Sequence, residues 1–259
     1  MPGQSGMKHE KTARQRQILS ALDVAPSLRV AELAQRLGVS TETIRRDLDE
    51  LTSAGLLNRT YGGAVRALSH EPAVAERHAM FVAERRRIAA ATVPLLAGAK
   101  VLILGSGSTL VHVAHEVAAR LRDILVITHS YGVASALAVN PTIKLLMLPG
   151  DYYAAEGTTL GGHTVAFLQT LHADVTVLGA SGLTGEGPND ALPETAAVYA
   201  AMAARGARTI ITADHSKFNR VFTARYAAWR DVDTLVTDKP PEGELVWGLE
   251  AAGVGVVLG

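Results

Sequence analysis

The chain has 259 residues, of which 48% are apolar and 19% are charged, values typical of a globular protein with two domains. It contains no cysteine, which excludes a disulfide framework and a thiolate metal site. No apolar run is long enough for a signal peptide or a membrane span, so we expect a cytoplasmic protein with no membrane partner.

The formal net charge of zero conceals a difference between the two parts of the chain. Through Arg66 there are ten Lys and Arg against seven Asp and Glu, whereas the remainder has 15 against 18. A basic N-terminal part on a mildly acidic remainder is typical of a protein whose one end meets a polyanion. Because the excess is modest, specific binding to nucleic acid requires more than one copy of the basic part.

Three helices are predicted in the basic part, after a disordered extension over residues 1–12. A cluster of apolar residues predicts the first helix over roughly Arg14–Asp23. The stretch VAELAQRLG, which begins at Val30, has the apolar spacing of a second short helix. Its final glycine, Gly38, supplies the turn that ends this helix.

The next helix carries the residues that we expect to contact DNA. Ile44, Leu48 and Leu51 lie at i, i+4 and i+7, so they are buried on one face. A hydroxyl residue at the start of the helix caps it, and the polar residues of the first turns project outwards. Such a helix fits the major groove as a recognition helix. The predicted contacts are Ser40, Thr41, Thr43, Arg45 and Arg46.

Two short extended runs around a Gly-Gly pair predict a β-hairpin wing after this helix, with positive φ at the glycine turn. The side chains of the wing are expected to lie along the phosphate backbone. The alternative is a small protein-interaction domain of three helices. The turn glycine, the cap and the wing together favour a winged helix-turn-helix domain over residues 13–68. The predicted wing contacts are Arg59, Tyr61, Gly62 and Gly63.

Residues 69–94 are predicted to form a linker and a connecting helix. The run Glu84–Arg87 contains three successive arginines. These arginines either touch DNA or, as we favour, form a solvated face. We also hypothesise that this helix relays a ligand signal to the N-terminal domain.

From about Lys100 onwards, continuous apolar runs alternate with helical stretches. This pattern predicts a mostly parallel sheet covered on both faces, and therefore an α/β domain over residues 95–259. The predicted strands are Val101–Gly105, Ile124–Thr128, Lys144–Leu148, Val175–Gly179, Thr209–Ala213, Thr234–Thr237 and a last, buried strand at the C terminus. The predicted helices are Leu110–Leu121, Tyr131–Val139, Val165–Leu171 and Glu194–Arg205.

Five successive strands end in glycine, hydroxyl, acid or amine residues, and ligands of open α/β sheets lie beyond such carboxyl ends. The first of these ends also opens a helix, where glycines and free amides hold an anion. Its spacing matches neither the nucleotide phosphate loop nor the dinucleotide fingerprint, and alone it is equally a tight turn. Together the five ends predict one crevice for a small anionic polyol. They are Gly105–Thr109, Thr128–Ser130, Gly150-Asp151, Gly179–Gly182 and Asp214–Lys217.

From about Arg14 to Asp238, the sequence resembles the DeoR family of bacterial transcription regulators. The motifs TIRRDLDEL and RTYGGA near the N terminus and DHSKF near the C terminus match best. The resemblance implies a sensor domain that is related in fold to ribose-5-phosphate isomerase and binds phosphorylated sugars. It implies a phosphate cradle of Gly105, Ser106, Gly107, Ser108 and Thr109, and a pocket of Thr128, His129, Ser130, Gly150, Ser181, Gly182, Glu194 and Lys217. To this set the strand ends add Asp151.

Four positions depart from the pattern of that family. Gly105 stands where an aspartate is usual, and His129 replaces the common asparagine. Thr184 stands in the place of an acid, and Tyr199 stands where a lysine often occurs. The loss of an acid and a lysine together implies a changed hydrogen-bonding pattern around the sugar, next to an intact phosphate subsite.

Two functions are compatible with these features. The first is a DNA-binding repressor of carbohydrate metabolism genes, which binds double-stranded operator DNA as a homodimer or homotetramer and is controlled by a phosphorylated sugar or a related metabolite. The second is a sugar-phosphate isomerase-like enzyme with an appended DNA-binding domain, in which Lys217, Glu194 and Asp214 form an acid–base set. Binding without catalysis is favoured, because Thr184 cannot act as an acid and Tyr199 cannot supply a permanent cation. No cofactor and no metal site is predicted.

Overall fold

The computed structural model describes residues 11–15, 17–19, 21–22, 27–53, 57–60, 63–66, 71–72 and 74–259. The chain divides into two compact units, which we call the head (Met1–Ser69) and the body (His70–Gly259). Within these described ranges, no helix combines the length and the apolar character needed to cross a membrane.

The head consists of helices and a small antiparallel sheet. Its elements are α1 (the helical residues 11–15, 17–19 and 21–22), β1 (Ser27–Arg29), α2 (Val30–Leu37), α3 (Thr41–Ser53), β2 (Leu57–Thr60) and β3 (Gly63–Arg66), with β3 between β1 and β2. The strand β1 was not expected from the sequence. The predicted disordered extension is wrong for residues 11 and 12, which are helical, and its residues 1–10 lie outside the described residues.

The core of the head is formed by the apolar faces that the sequence predicts. Ile44 and Leu48 of α3 are completely buried, and Gly38 ends α2 in the left-handed conformation at φ +65°. The carboxylate of Asp47, also buried on α3, accepts hydrogen bonds from Arg14 Nε at 2.5 Å and from Arg14 Nη2 at 3.1 Å. This two-point ion pair joins α1 to α3.

Gly63 is required for close packing rather than for a turn. The register of the hairpin pairs Thr60 of β2 with Gly63 of β3, and the φ of Gly63 is not positive. A Cβ atom at this position would lie 2.3 Å from the carbonyl oxygen of Leu28 in β1. The predicted positive φ is therefore wrong for Gly63, because the constraint here is the close approach of β1. Gly62 lies outside the described residues.

A seven-stranded sheet forms the centre of the body, in the order β15-β14-β12-β9-β4-β5-β6. Its neighbouring strands are all parallel, as the continuous apolar runs predict. The strands are β4 (Val101–Leu104), β5 (Leu125–Thr128), β6 (Lys144–Met147), β9 (Ala173–Leu178), β12 (Gly206–Thr212), β14 (Thr234–Thr237) and β15 (Gly255–Leu258).

Helices cover both faces of this sheet, which confirms the α/β fold class. The helices are α4 (Val74–Arg77), α5 (Val82–Thr92), α6 (Ser108–Arg120), α7 (Tyr131–Leu137), α8 (Gly162–Leu168), α9 (Pro193–Ala203) and α10 (Glu244–Ala252). Successive side chains of a strand point to opposite faces. Leu102 and Leu104 therefore pack with α5, α6 and α7, whereas Ile103 belongs to the core formed by α8, α9 and α10.

Two parts of the body differ from the predicted elements. The sequence pattern did not reveal the hairpin of β7 (Asp151–Tyr153) and β8 (Thr158–Leu160), nor the small sheet of β10 (Gly182–Thr184), β11 (Gly187–Asp190) and β13 (Ala224–Arg225). The C-terminal strand β15 exists, but the prediction that it is buried is wrong. It forms an edge of the large sheet, where Val256 and Leu258 are 41% and 54% exposed.

Candidate anion-binding cavity and DNA-contacting helix

A cavity of about 400 Å³ lies at the carboxyl ends of β4, β9 and β12, three adjacent strands in the middle of the sheet. The helix α6, which follows β4, and the helix α9, which follows β9, pack on opposite faces of the sheet. Where the connections of neighbouring strands part in this way, an open α/β sheet forms a crevice that can hold a ligand. Of the predicted ligand residues, the cavity is lined by Ser106, Gly107, Ser108, Thr109, Ser181 and Lys217.

The N terminus of α6 reaches the cavity through the predicted phosphate cradle. Gly107 has φ +98°, a conformation that favours glycine, and it precedes the first helical residue, Ser108. No side chain of the described residues caps this helix, so its first amides are available to an anion. The nearly buried hydroxyl residues Ser106, Ser108 and Thr109 form the adjoining wall. This wall offers neutral hydrogen-bond donors together with the positive end of the helix dipole.

Tyr199 closes the back of the cradle. Its hydroxyl group accepts a hydrogen bond from the Ser106 amide and donates one to the Ser106 carbonyl oxygen, both at 3.0 Å. A Cβ atom at Gly105 would lie 3.0 Å from Cε1 of the Tyr199 ring. The departures at positions 105 and 199 are therefore in contact, and the buried tyrosine requires the glycine. Burial raises the pKa of Tyr199, so its hydroxyl group stays protonated.

A carboxylate from the beginning of the body lies inside the cavity among its cations. Oε1 of Glu71 is 2.8 Å from Nη1 of Arg77 and 2.9 Å from Nζ of Lys217. The Ser181 hydroxyl group donates a hydrogen bond to the second oxygen of the same carboxylate. Burial raises the pKa of Glu71, but the positive charges of Lys217 and Arg77 outweigh this effect and hold the pKa below its usual value. Glu71 is therefore ionised at neutral pH.

Two buried arginines complete the charged wall of the cavity. Arg77 forms a second ion pair with Glu156. Nε of Arg85 lies 3.3 Å from Oδ2 of Asp214, which follows β12, and the Arg85 guanidinium also donates to the Met80 carbonyl oxygen at 2.7 Å. These arginines supply the positive charges next to Glu156 and Asp214.

The predicted solvated face of arginines is wrong for Arg85, whose side chain is only 2% exposed. Arg85 lies three and four residues before Ile88 and Ala89, so it shares the buried face of α5 with them. Arg86 and Arg87 are exposed, as predicted.

Asp190 forms the acidic side of the cavity. Its carboxylate accepts a hydrogen bond from the Leu192 amide at 2.9 Å, and its Oδ2 atom lies 3.3 Å from Oγ of Ser181. Burial raises the pKa of Asp190 to about 6, and the charges of Glu71 and Glu156 add to this effect against the Leu192 hydrogen bond. A carboxyl group that titrates near neutral pH can either accept a hydrogen bond from a ligand hydroxyl group or donate one to it.

The residues at the end of β5 do not line the cavity, although the sequence predicts that they do. The Ser130 hydroxyl group caps α7 by accepting from the Val133 amide at 3.3 Å, and the Thr128 hydroxyl group accepts from the Ser130 amide at 3.1 Å. Nδ1 of His129 lies 2.9 Å from the carbonyl oxygen of Thr159 in β8. Burial lowers the pKa of His129 to about 4, so its ring is neutral. This strand end serves local packing.

Three further predicted residues lie away from the cavity. Gly150 and Asp151 follow β6, the edge strand of the sheet, and line a separate, shallow depression. Gly150 has φ +154°, and a Cβ atom there would lie 2.1 Å from Oγ1 of Thr164. Glu194 is exposed in the first turn of α9 and lines another depression. The prediction that five strand ends meet in one crevice is therefore wrong for β5 and β6, which lie on the outer side of β4.

Gly182 and Thr184 belong to the small sheet of β10, β11 and β13. A Cβ atom at Gly182 would lie 2.1 Å from the carbonyl oxygen of Arg220, so close packing explains this glycine. The Thr184 hydroxyl group donates to the carbonyl oxygen of Gly187 at 3.1 Å and stabilises the turn between β10 and β11. Within the described ranges, no cluster of histidine, aspartate and glutamate side chains fits a metal ion.

In the head, the structure places the predicted recognition residues on the surface of α3. Ser40 precedes the helix, and its hydroxyl oxygen accepts a hydrogen bond from the Thr43 amide at 3.1 Å, which is the geometry of an N-cap. Thr41, Arg45 and Arg46 are exposed, and Thr43 is partly exposed. The backbone of Arg59 belongs to β2, whereas its side chain, Tyr61 and Gly62 lie outside the described residues.

Sequence reasoning missed several residues of the cavity. None of the charged residues that surround Ser181 and Lys217 was assigned to the site from the sequence. They are Glu71, Arg77, Arg85, Glu156 and Asp190. Only Arg85 carried a usable signal, which is its spacing from the apolar residues of α5.

Comparisons with known proteins agree with this division of the chain. Residues 14–70 match the DeoR-like helix-turn-helix domain, and residues 80–239 match the DeoR C terminal sensor domain. A DeoR-like helix-turn-helix domain in one unit and a DeoR sensor domain in the other define a DNA-binding transcription regulator rather than an enzyme. The chain belongs to the DeoR family, as the motifs of the sequence predict.

The chain matches named transcription regulators over nearly their whole length. The chain is 31% identical over 250 residues to the putative aga operon transcriptional repressor of Escherichia coli O157:H7, covering 95% of this chain and 93% of that protein. It is 28% identical to the glycerol-3-phosphate regulon repressor of Haemophilus influenzae, covering 90% and 92%. A solved ribose 5-phosphate isomerase A from Methanocaldococcus jannaschii overlaps with 53% of this chain and 54% of its own, at a TM-score of 0.40 and 17% identity.

Proposed function

We propose that this protein is a cytoplasmic repressor of carbohydrate metabolism genes that is controlled by a phosphorylated sugar or a related metabolite. The observation that carries the proposal is the cavity of the body, which is lined both by the N terminus of α6, uncapped among the described residues, and by Lys217 and Arg77. Both features favour an anion. The relative named a glycerol-3-phosphate regulon repressor supports a phosphorylated ligand.

In the DNA-binding half of this proposal, residues 13–68 contact an operator. The start of α3 enters the major groove, where the arginines and hydroxyl groups meet bases and phosphates. Two or four copies of the chain present two or more such helices to a pseudosymmetric site. The proposed contacts are Ser40, Thr41, Thr43, Arg45 and Arg46 from the helix, and Arg59, Tyr61, Gly62 and Gly63 from the wing.

In the ligand-binding half, the phosphate lies at the first amides of α6 with the hydroxyl groups of Ser106, Ser108 and Thr109. Lys217 supplies a positive charge, and Asp190 hydrogen-bonds to a hydroxyl group of the ligand. A phosphate in this position is surrounded by donors in a partly desolvated cavity, where each hydrogen bond is strong. The ligand controls DNA affinity if it binds two conformations of the protein differently, at a coupling of about 1–3 kcal/mol.

The proposal is tested by finding an operator and then a ligand that acts on it. Selection from a random DNA library identifies the bound sequence, and a panel of sugar phosphates that includes glycerol 3-phosphate is added to the complex. We expect one compound of the panel to change the mobility of the complex and to raise the melting temperature of the free protein. A panel without any effect on DNA affinity or melting would contradict the proposal.

Substitution in the head tests the DNA-binding half separately. Arg45→Ala and Arg46→Ala should each weaken operator binding by about tenfold or more, since each removes a contact worth roughly 1–3 kcal/mol. Arg86→Ala, at an exposed arginine of the body, is the matched control. Unchanged operator affinity in both head variants would rule out α3 as the recognition helix.

A further inference from the structure

The cavity of the body contains an anion that belongs to the chain itself. The carboxylate of Glu71 contacts Arg77 Nη1 at 2.8 Å and Lys217 Nζ at 2.9 Å, and it accepts a hydrogen bond from Ser181. The side chains of Glu71 and Arg77 are each 10% exposed, and that of Lys217 is 15% exposed. A carboxylate and a phosphate require the same donors, so the two cannot use these side chains fully at the same time.

We propose that Glu71 is a tethered competitor of the effector, which occupies the anion subsite of Lys217, Arg77 and Ser181 until an anionic group of the ligand displaces it. This inference rests on the proposed function, because it assumes an anionic ligand in this cavity. It adds a second anion subsite to the one at the N terminus of α6 and explains how binding there reaches the rest of the chain.

The contacts of the cations favour a replaceable partner over a purely structural ion pair. Glu71 is the ion-pair partner that Lys217 has among the described residues. The buried Nε of Arg77 has no hydrogen-bond partner within the same part of the structure. A buried donor without a partner is costly, and a phosphate offers more acceptor oxygens than a single carboxylate. A phosphate in place of Glu71 can satisfy donors that the carboxylate leaves unpaired.

Glu71 also adds negative charge to an already acidic wall. Asp190 and Glu156 line the same cavity, where Asp190 is buried and Glu156 is partly buried. The charge of Glu71 disfavours the ionised form of each of them. When Glu71 leaves, its charge moves out to solvent, which offsets part of the repulsion that an incoming anion meets.

The position of Glu71 in the sequence gives its displacement a consequence. It lies five residues after Arg66, the last residue of β3 in the head, and six residues before Arg77 in α4 of the body. Glu71, which lies close in sequence to the boundary between the two units, is therefore attached to the cavity through its side chain. A ligand that expels Glu71 releases that attachment, so occupancy of the cavity and the conformation of the connecting segment are linked.

Binding of inorganic phosphate and of glycerol 3-phosphate to the full-length protein tests the competition. Glu71→Gln keeps the shape of the side chain but removes its charge. Glu250→Gln removes the same charge from an exposed glutamate of α10, outside the cavity, which has no ion-pair partner within the described part of the chain. We expect Glu71→Gln to lower the Kd of at least one of these probes by about tenfold or more, because the probe no longer competes with a charged side chain for the same donors. Glu250→Gln should change the Kd by less than about twofold.

A thiol probe tests the displacement itself. The chain has no cysteine, so Pro72→Cys introduces a single reactive group beside Glu71 at the wall of the cavity. In this background, phosphate at saturation should raise the rate of thiol modification several-fold. Addition of Glu71→Gln should give the high rate without ligand, whereas addition of Glu250→Gln should leave the rate low.

The possible outcomes separate this inference from the proposed function. Tighter binding in Glu71→Gln together with a ligand-dependent thiol rate supports the competition. If the wild type and Glu71→Gln bind the probes equally well, the competition is wrong while the phosphate site stands. If neither protein binds a probe, both the competition and the phosphate site are overturned.

Discussion

The strand ends at the centre of the large sheet differ from those on its outer side, although their sequences look alike. The ends of β4, β9 and β12 line a cavity, and the charged residues that follow β12 form ion pairs, Asp214 with Arg85 and Lys217 with Glu71. The end of β5 carries equally polar residues, yet these bond to the neighbouring backbone and pack against β8. The place of a strand relative to the switch point, rather than the polarity of its last residues, therefore decides which strand end opens into a cavity.

The largest expected effect concerns the buried charge at the end of β12. Arg85→Ala leaves the carboxylate of Asp214, which is 0% exposed, without its arginine. We expect a loss of about 3–5 kcal/mol in the free energy of unfolding of the body, because one partner of a buried ion pair is removed. Urea denaturation measures it. Arg86→Ala, at the exposed neighbour, should change this free energy by less than about 0.5 kcal/mol. Equal losses in the two variants would contradict the assignment of Arg85 to the buried wall.

The next effect concerns the outer strand end and its pH dependence. Burial lowers the pKa of His129 to about 4 in the folded protein, whereas the ring titrates near pH 6.5 in the unfolded chain. Protonation of His129 therefore favours the unfolded chain. The free energy of unfolding is therefore highest above about pH 6.5, and it falls by up to about 3 kcal/mol as the pH is lowered from about 6.5 towards 4. His129→Asn should remove this part of the pH dependence without changing ligand affinity. An altered Kd for the ligand would contradict the placement of His129 outside the cavity.

The cavity next to the central strand ends should show a pH dependence of the opposite sign, through Asp190. Burial raises the pKa of Asp190 to about 6, from an unfolded value near 4. Ionisation of Asp190 therefore destabilises the body as the pH rises through this interval, by about 2–3 kcal/mol in total. Asp190→Asn should be more stable relative to the wild type at pH 7.5 than at pH 4.5, as measured by urea unfolding at both values. Asp151→Asn, at an exposed carboxylate near the sheet edge, is the control. A constant difference between Asp190→Asn and the wild type would contradict the prediction.

The smallest effect comes from an isosteric pair of substitutions. Thr109 lines the cavity, whereas the hydroxyl group of Thr128 accepts the Ser130 amide at 3.1 Å. Thr109→Val should weaken binding of the phosphorylated ligand by about tenfold at nearly unchanged stability. Thr128→Val should lower stability by about 1 kcal/mol at unchanged affinity. Calorimetric titration and urea unfolding of both variants measure the two effects. A reversed pattern would place the ligand at the end of β5.

Much of the fold could be predicted from local sequence, because local patterns determine it. The apolar spacing of Ile44 and Leu48 predicts α3, and the continuous apolar run at Leu102 predicts a buried strand. No local sequence pattern determines the order of the strands in the sheet. For that reason the polar residues after β5 and β6 were assigned to the same crevice as those after β4.

The cavity shows the same limit more sharply. Its cradle was predicted, because glycine and hydroxyl residues follow β4 directly at the start of a helix. The pairing of Lys217 with Glu71 joins residues 146 positions apart, and only the folded chain brings them together. The burial of Arg85 has a local signal, which is its spacing of three residues from Ile88. Three successive arginines are also typical of an exposed face, so the sequence favoured exposure.

The central claim is that the cavity at the ends of β4, β9 and β12 binds the ligand that controls DNA binding. The most direct measurement is a titration of the operator complex with the phosphorylated ligand, followed by fluorescence anisotropy, for the wild type, Lys217→Ala and Glu194→Ala in parallel. We predict that Glu194→Ala responds at the same ligand concentration as the wild type, whereas Lys217→Ala requires at least about tenfold more. An unchanged response of Lys217→Ala, or a lost response of Glu194→Ala, would contradict the account.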